Sequence, residues 1–188
     1  IEGKAPPAPA RKKMRKPRSI QYLALLNQVL LEDRHLAEIE GMPDLLHTLE
    51  RRMYSHALSA RQRRDREKQQ AVDRVPTPFT SALMRGCIER GQDMRVGMDY
   101  HLPSLYERGL ANAANALAVI DRLVFQKKSI TLMALRQALE GNLADSALTR
   151  QLRAAPKWGN DDPEADRWVQ ILIEMRERVL DDIDRQFA

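Results

Sequence analysis

Three groups of residues have types and spacings from which chemistry could be built. Cys87, in Gly86-Cys87-Ile88-Glu89, places the chain's one thiol two residues from a carboxylate. A reactive thiol needs a lowered pKa, and an acidic neighbour raises it. With Leu83 and Met84 just before it, Cys87 therefore reads as a packed, inert thiol in the middle of a helix. Gly159-Asn160-Asp161-Asp162 sets two adjacent carboxylates after a glycine. Acid/base work or a hard cation would need further oxygen ligands, whereas aspartates ahead of a helix act simply as a cap and a turn. His101, with Tyr100 and Tyr106, has no identifiable nucleophile or second acid nearby and reads as loop packing. One cysteine and four scattered histidines leave no set spaced for zinc and no internal disulfide. No catalytic, cofactor-binding or metal-ligating residue is assigned, and no cofactor is expected.

The elements that would position these residues read as helices. From Ser19 to Ile39 apolar residues recur at three to four positions, and Gly41-Met42-Pro43 ends that helix. Asp44 opens a long second helix whose charged run at 61–68 reads as a solvated face. Val75-Pro76-Thr77-Pro78 breaks it. Thr77 then caps a helix with Pro78 in its first turn, carrying Phe79, Leu83, Met84, Cys87 and Ile88 to Gly91. Residues 91–108 lack a clear period and form the longest irregular stretch of the body. An alanine-rich helix over 110–125, with small residues on two sides, is expected to be central. Further helices start at Thr131 and after Asp145, and a last one spans 164–185 with Glu164 and Asp166 in its first turn. The expectation is all-α, a bundle of six to seven helices with no convincing strand, no barrel and no solenoid repeat.

The 188 residues, 43% hydrophobic and 30% charged, suffice for a core, and only 8 Gly and 3 Phe make a large sandwich or β-barrel unexpected. The formal charge is +5, yet residues 1–18 hold seven Lys and Arg against Glu2 alone, a local +6, so the other residues sum to −1. The basic character belongs to a Pro/Ala-rich arm at 1–18 ahead of a helical domain at 19–188. Without aromatic residues among the bases, and with no recognition motif following, a specific nucleic-acid binder is not expected. No window approaches 18 uncharged apolar residues, so neither a membrane span nor a membrane partner is expected. The expected location is cytoplasmic.

Taken in order, three motifs resemble the glycyl radical enzymes, the group of pyruvate formate-lyase, glycerol and diol dehydratases and choline trimethylamine-lyase. The first is Pro76-Thr77-Pro78-Phe79 with Gly86-Cys87-Ile88-Glu89-Arg90-Gly91-Gln92-Asp93. The second is Gly109-Leu110-Ala111-Asn112 with Leu117-Ala118-Val119-Ile120 and Leu123-Val124-Phe125. The third is Ala155-Pro156-Lys157-Trp158-Gly159-Asn160-Asp161-Asp162. The resemblance runs from about Pro76 to Val179 and more faintly back to Ser19. It implies that Pro78, Phe79, Gly86, Cys87, Gly109, Asn112, Pro156, Gly159, Asn160, Asp161 and Asp162 are structural motif positions, on helices outside the family's barrel.

The resemblance also implies what is missing. Family catalysis needs a radical glycine in an R-V-x-G-Y-type loop and a thiyl cysteine within G-C-V-E, and this sequence contains neither loop. Cys87 aligns with a later segment and does not inherit the radical role. The turn at 96–109 keeps Gly97, Tyr100 and Gly109 but carries Pro, Leu and charges where the family has glycines, a costly exchange at close-approach positions. The resemblance thus implies a non-catalytic assembly or encapsulation domain descended from a radical lyase. Some choline trimethylamine-lyases of bacterial microcompartments carry an N-terminal extension that such a degenerate copy would suit. The alternative is a fragment of an active lyase or dehydratase whose cysteine and radical glycine lie outside this chain. Implied partners are shell proteins or co-encapsulated enzymes, and a homo-oligomer.

Overall fold

Leucine, alanine and arginine at helical spacing wind most of this chain into helices, in a computed structural model that describes residues 18–99 and 105–187. The chain divides into two compact units, residues 19–59 with 105–187, and residues 60–104. Of the arm expected at 1–18, residues 1–17 lie outside the described residues and Arg18 opens β1; Tyr100 and His101 also lie outside them.

In the first unit, β1 (Arg18–Gln21) pairs with β2 (Leu105–Arg108) in a two-stranded sheet. α1 (Tyr22–Glu32) follows β1 directly, and a single 3-10 turn covers Leu36–Glu38. The one helix expected over 19–39 is therefore three pieces. Its break has a local cause: Asp33 is extended, and its carboxylate accepts from the His35 amide at 2.9 Å, an Asx turn that competes with the helix ladder. α2 (Met42–Arg74) begins in this unit and ends in the other.

α6 (Leu110–Ile120) is the hub, packing along α1 and α9 (Pro163–Gln186). Ala113, Ala114 and Ala118 are fully buried, so backbones approach closely, while Leu117, Leu172 and Met175 fill the space between. The expected continuation of α6 to 125 occurs in a wider form, because Asp121–Gln126 winds as a π-helix. There Asp121 is buried and accepts from Gln126 Nε2 at 2.8 Å and Arg167 Nη2 at 2.7 Å, which pairs its charge. α7 (Leu132–Glu140) and α8 (Ser146–Arg153) start where expected, and their caps are Thr131, which accepts from the Ala134 amide, and Asp145, which accepts from the Ala147 and Leu148 amides.

In the second unit, three short helices follow the end of α2: α3 (Pro78–Ala82), α4 (Cys87–Arg90) and α5 (Met94–Gly97), each packed on the other two. The single helix expected over 78–91 is broken by Gly86, whose φ of +90° no helix accommodates. Cys87 consequently opens α4 rather than sitting mid-helix. Among the described residues the architecture is mostly helical, with nine α-helices and no barrel.

Candidate functional site

The first motif is organised by its last residue, Asp93, and by Asp99 six residues beyond it, neither of which the sequence reading gave a role. Asp93 caps α5 by accepting from the Arg95 amide at 3.0 Å, and its other oxygen accepts from the Thr77 amide at 2.7 Å and the Thr77 hydroxyl at 2.8 Å. Arg95 Nη1 lies 3.3 Å from the same carboxylate and also donates to the Val75 carbonyl at 3.0 Å, near the C-terminus of α2. These donors, led by the Arg95 amide and opposed only by desolvation, hold the Asp93 carboxyl down at about 2. Thr77, expected as the α3 cap, precedes α3 but spends its hydroxyl on Asp93. Ser81 completes the frame, donating to the Thr77 carbonyl and accepting from the Met94 amide at 2.8 Å.

Asp99 does the same at the other end of the motif. Its oxygens face Arg90 Nη2 at 2.6 Å and Arg85 Nε at 3.2 Å, and Arg90 Nη1 also donates to the Gly86 and Gly97 carbonyls. A Cβ on Gly86 would lie 2.0 Å from Arg90 Nη1 and 2.4 Å from Asp99 Oδ1, so this glycine is required both by its φ and by the guanidinium that crosses it. Cys87 is 2% exposed. Phe79 lies on the outside, as do Leu83 and Ile88.

The second and third motifs lie in the other unit. Gly109, at φ +74°, opens α6, and a Cβ there would meet Leu23 Cβ at 3.0 Å. Asn112 is exposed, whereas Asn115 accepts from the Trp158 amide at 2.7 Å, joining α6 to the third motif. Ahead of Trp158, Pro156 precedes Lys157, whose ammonium donates to the Leu152 and Ala155 carbonyls; burial lowers its pKa. Gly159 and Asp161 take positive φ in the turn, Asn160 lies between them, and Asp162 caps α9 through the Glu164 amide at 2.9 Å. The two carboxylates thus serve a turn and a cap. Among the described residues no group of three His, Cys, Asp or Glu side chains could hold a metal ion, and no helix is long and apolar enough to cross a membrane.

A second polar set in this unit joins Tyr22, Glu107 and Arg176. Tyr22 donates to Glu107 Oε1 at 2.5 Å, and Arg176 Nη1 donates to the same oxygen at 2.8 Å. Burial first, then the Glu107 carboxylate, pushes the Tyr22 phenol up, so it stays protonated. An open groove between α2 and α9, lined by His47, Glu50, Arg51, Tyr54, Ser55 and Asp182, contains no motif residue. Sequence reasoning quoted Asp93 as a motif position without a role and did not single out Arg95 or Asp99. The available signal was Asp93 two residues before Arg95, an Asx cap inside what looked like an unpatterned loop.

The match to known proteins includes residues of both units. The family model described as pyruvate formate lyase-like matches residues 38–185. Trans-4-hydroxy-L-proline dehydratase of Clostridioides difficile is 32% identical over 102 residues, covering 53% of this chain and 13% of the dehydratase. The (2S)-3-sulfopropanediol dehydratase of Klebsiella oxytoca is 30% identical over 103 residues, covering 53% and 12%. The glycerol-bound B12-independent glycerol dehydratase of Clostridium butyricum superposes with a TM-score of 0.74 at 19% identity, over 86% of this chain and 22% of that one. The chain therefore spans a small part of the length of each relative.

Proposed function

The chain belongs to the pyruvate formate lyase-like family, part of the glycyl radical enzymes, and on that premise we propose that it is a non-catalytic assembly module. In this reading a helical portion of a radical lyase is kept to hold proteins together. What carries it is how the motif side chains are used. Cys87 is buried, Asp93 and Asp99 are engaged by amides, a hydroxyl and guanidinium groups, and Asp162 caps a helix, while Phe79, Leu83 and Ile88 face outward. Groups that could do chemistry maintain the backbone, and groups that could bind a protein are free. The module's proposed setting is a microcompartment choline trimethylamine-lyase, with shell proteins or co-encapsulated enzymes as partners.

The test fuses the chain to a fluorescent reporter and co-expresses it with microcompartment shell proteins. The reporter is expected to co-purify with intact shells; a reporter left wholly outside refutes the encapsulation role. Incubation of the chain with a radical-activating enzyme is expected to give no glycyl radical signal by electron paramagnetic resonance. A second reading, a piece of an active lyase or dehydratase, is favoured by the chain's 22% share of the glycerol dehydratase. A parent reading frame holding G-C-V-E and R-V-x-G-Y around this segment decides for it.

A further inference from the structure

The groove between α2 and α9 lies wholly within the unit of residues 19–59 with 105–187, and its walls are tied together. Arg178 Nε on α9 donates to Glu50 Oε1 on α2 at 2.9 Å, and the Tyr54 hydroxyl on α2 donates to Gln186 Oε1 on α9 at 3.0 Å. Val179, buried, and Tyr54, packed against the core, supply its apolar lining. The cavity has a volume of about 290 Å³. That is close to the lower end of the range for small-molecule sites, about 300 Å³.

Within this frame some polar groups are not engaged. Among the described residues the side chains of His47, Arg51 and Ser55 make no hydrogen bond or ion pair, and all three line the groove. Spaced by four, they form one row along α2. The Arg51 guanidinium is a planar fork of donors suited to a carboxylate. Arg178 neutralises Glu50, which leaves Asp182 as the acid of the opposite wall. Asp182 pairs only with Arg185, one turn along the same helix at 3.4 Å, where both side chains are exposed and the pair is worth little. Arg51 and Asp182 face the same groove from two helices and form no ion pair across it.

The groove therefore carries a cation on one wall, an anion on the other and an apolar lining. Inorganic phosphate would be attracted by Arg51 and repelled by Asp182, and a simple amine would meet the reverse. A molecule with a carboxylate and an ammonium a few atoms apart meets each wall with the opposite charge.

We propose that this groove binds a free α-amino acid with an aliphatic side chain. Its carboxylate accepts from Arg51 and from the flanking His47 and Ser55, its ammonium donates to Asp182, and its side chain lies on Val179 and the Tyr54 ring. The site contains no motif residue, so it stands independently of the assembly reading.

The experiment titrates the full chain, labelled with nitrogen-15, with L-leucine, isovalerate, isopentylamine and inorganic phosphate. Leucine is expected to shift the Tyr54, Ser55 and Asp182 amides saturably. Isovalerate and isopentylamine each lack one of its charges and should bind at least about tenfold more weakly. Arg51→Gln and Asp182→Asn should each weaken leucine binding by at least about tenfold. Asp182→Asn should also abolish the preference for leucine over isovalerate, which a merely structural defect would not do. Both side chains are exposed, so thermal unfolding of the variants should match the parent. Absence of a saturable leucine shift, phosphate binding as tight as leucine, indifference to Arg51, or a preference for leucine that survives Asp182→Asn overturns the proposal. Leucine binding by a chain whose reporter stays outside shells retains the site and discards the shell role.

Discussion

Replacing Asp93 by Asn should loosen the unit at 60–99 while leaving the other unit intact. The carboxylate accepts from two amides and a hydroxyl and pairs with Arg95, and these contacts lower its pKa from 3.8 to about 2. A lowered pKa means that the ionised form carries stability. The contribution is complete above the unfolded value near 3.8 and is lost as pH falls through the folded value near 2, so the window is acidic. Asn keeps the shape but presents an NH2 where donors converge, leaving at least one of them unsatisfied. Because α3, α4 and α5 lack an apolar core, the loss should appear as local opening rather than global unfolding. Native-state hydrogen exchange at neutral pH should show the Thr77 and Arg95 amides exchanging about 30-fold faster in the variant, with Leu117 and Leu172 unchanged. A carbon-13 carboxyl titration should place the Asp93 midpoint well below 3.8. A midpoint at 3.8, or unchanged exchange at Thr77, refutes the reasoning.

Four further outcomes follow from the same geometry. Gly86→Ala forces an L side chain to φ +90° and into the Arg90 and Asp99 contact, so it should cost about 2 kcal/mol locally, read by proteolytic nicking between Thr77 and Gly97. Leu172→Ala, fully buried on α9, should lower global stability by about 2–5 kcal/mol in urea denaturation. Glu107→Ala leaves the Tyr22 hydroxyl and Arg176 guanidinium without their shared acceptor and should cost about 2 kcal/mol in the same assay, with the Tyr22 phenol ionising at lower pH by absorbance titration. Cys87, at 2% exposure, should resist thiol reagents in native protein and react when urea is added.

Much of the helical frame was legible because it depends on local rules. Apolar spacing located α2, α6, α7, α8 and α9, and Thr131, Asp145 and Asp162 cap the helices that follow them, since a side-chain oxygen two or three residues from a free amide needs no distant partner. The three motifs and their order located the family. Periodicity did not separate a continuous helix from one interrupted by an Asx turn at Asp33 or a left-handed glycine at Gly86, because the flanking apolar spacing survives either break.

Type and spacing in the chain itself determined that this protein is a helical member of its family whose acidic pair at 161–162 belongs to a turn and a cap. Tertiary structure decided the roles of Asp99 and Glu107 and the tie from Asp93 to Thr77, because these contacts join groups 9 to 85 residues apart in sequence. It also decided that Phe79 and Leu83 face outward. Helical spacing reports that a stripe is apolar, and only the packing of neighbouring elements determines whether that stripe is covered.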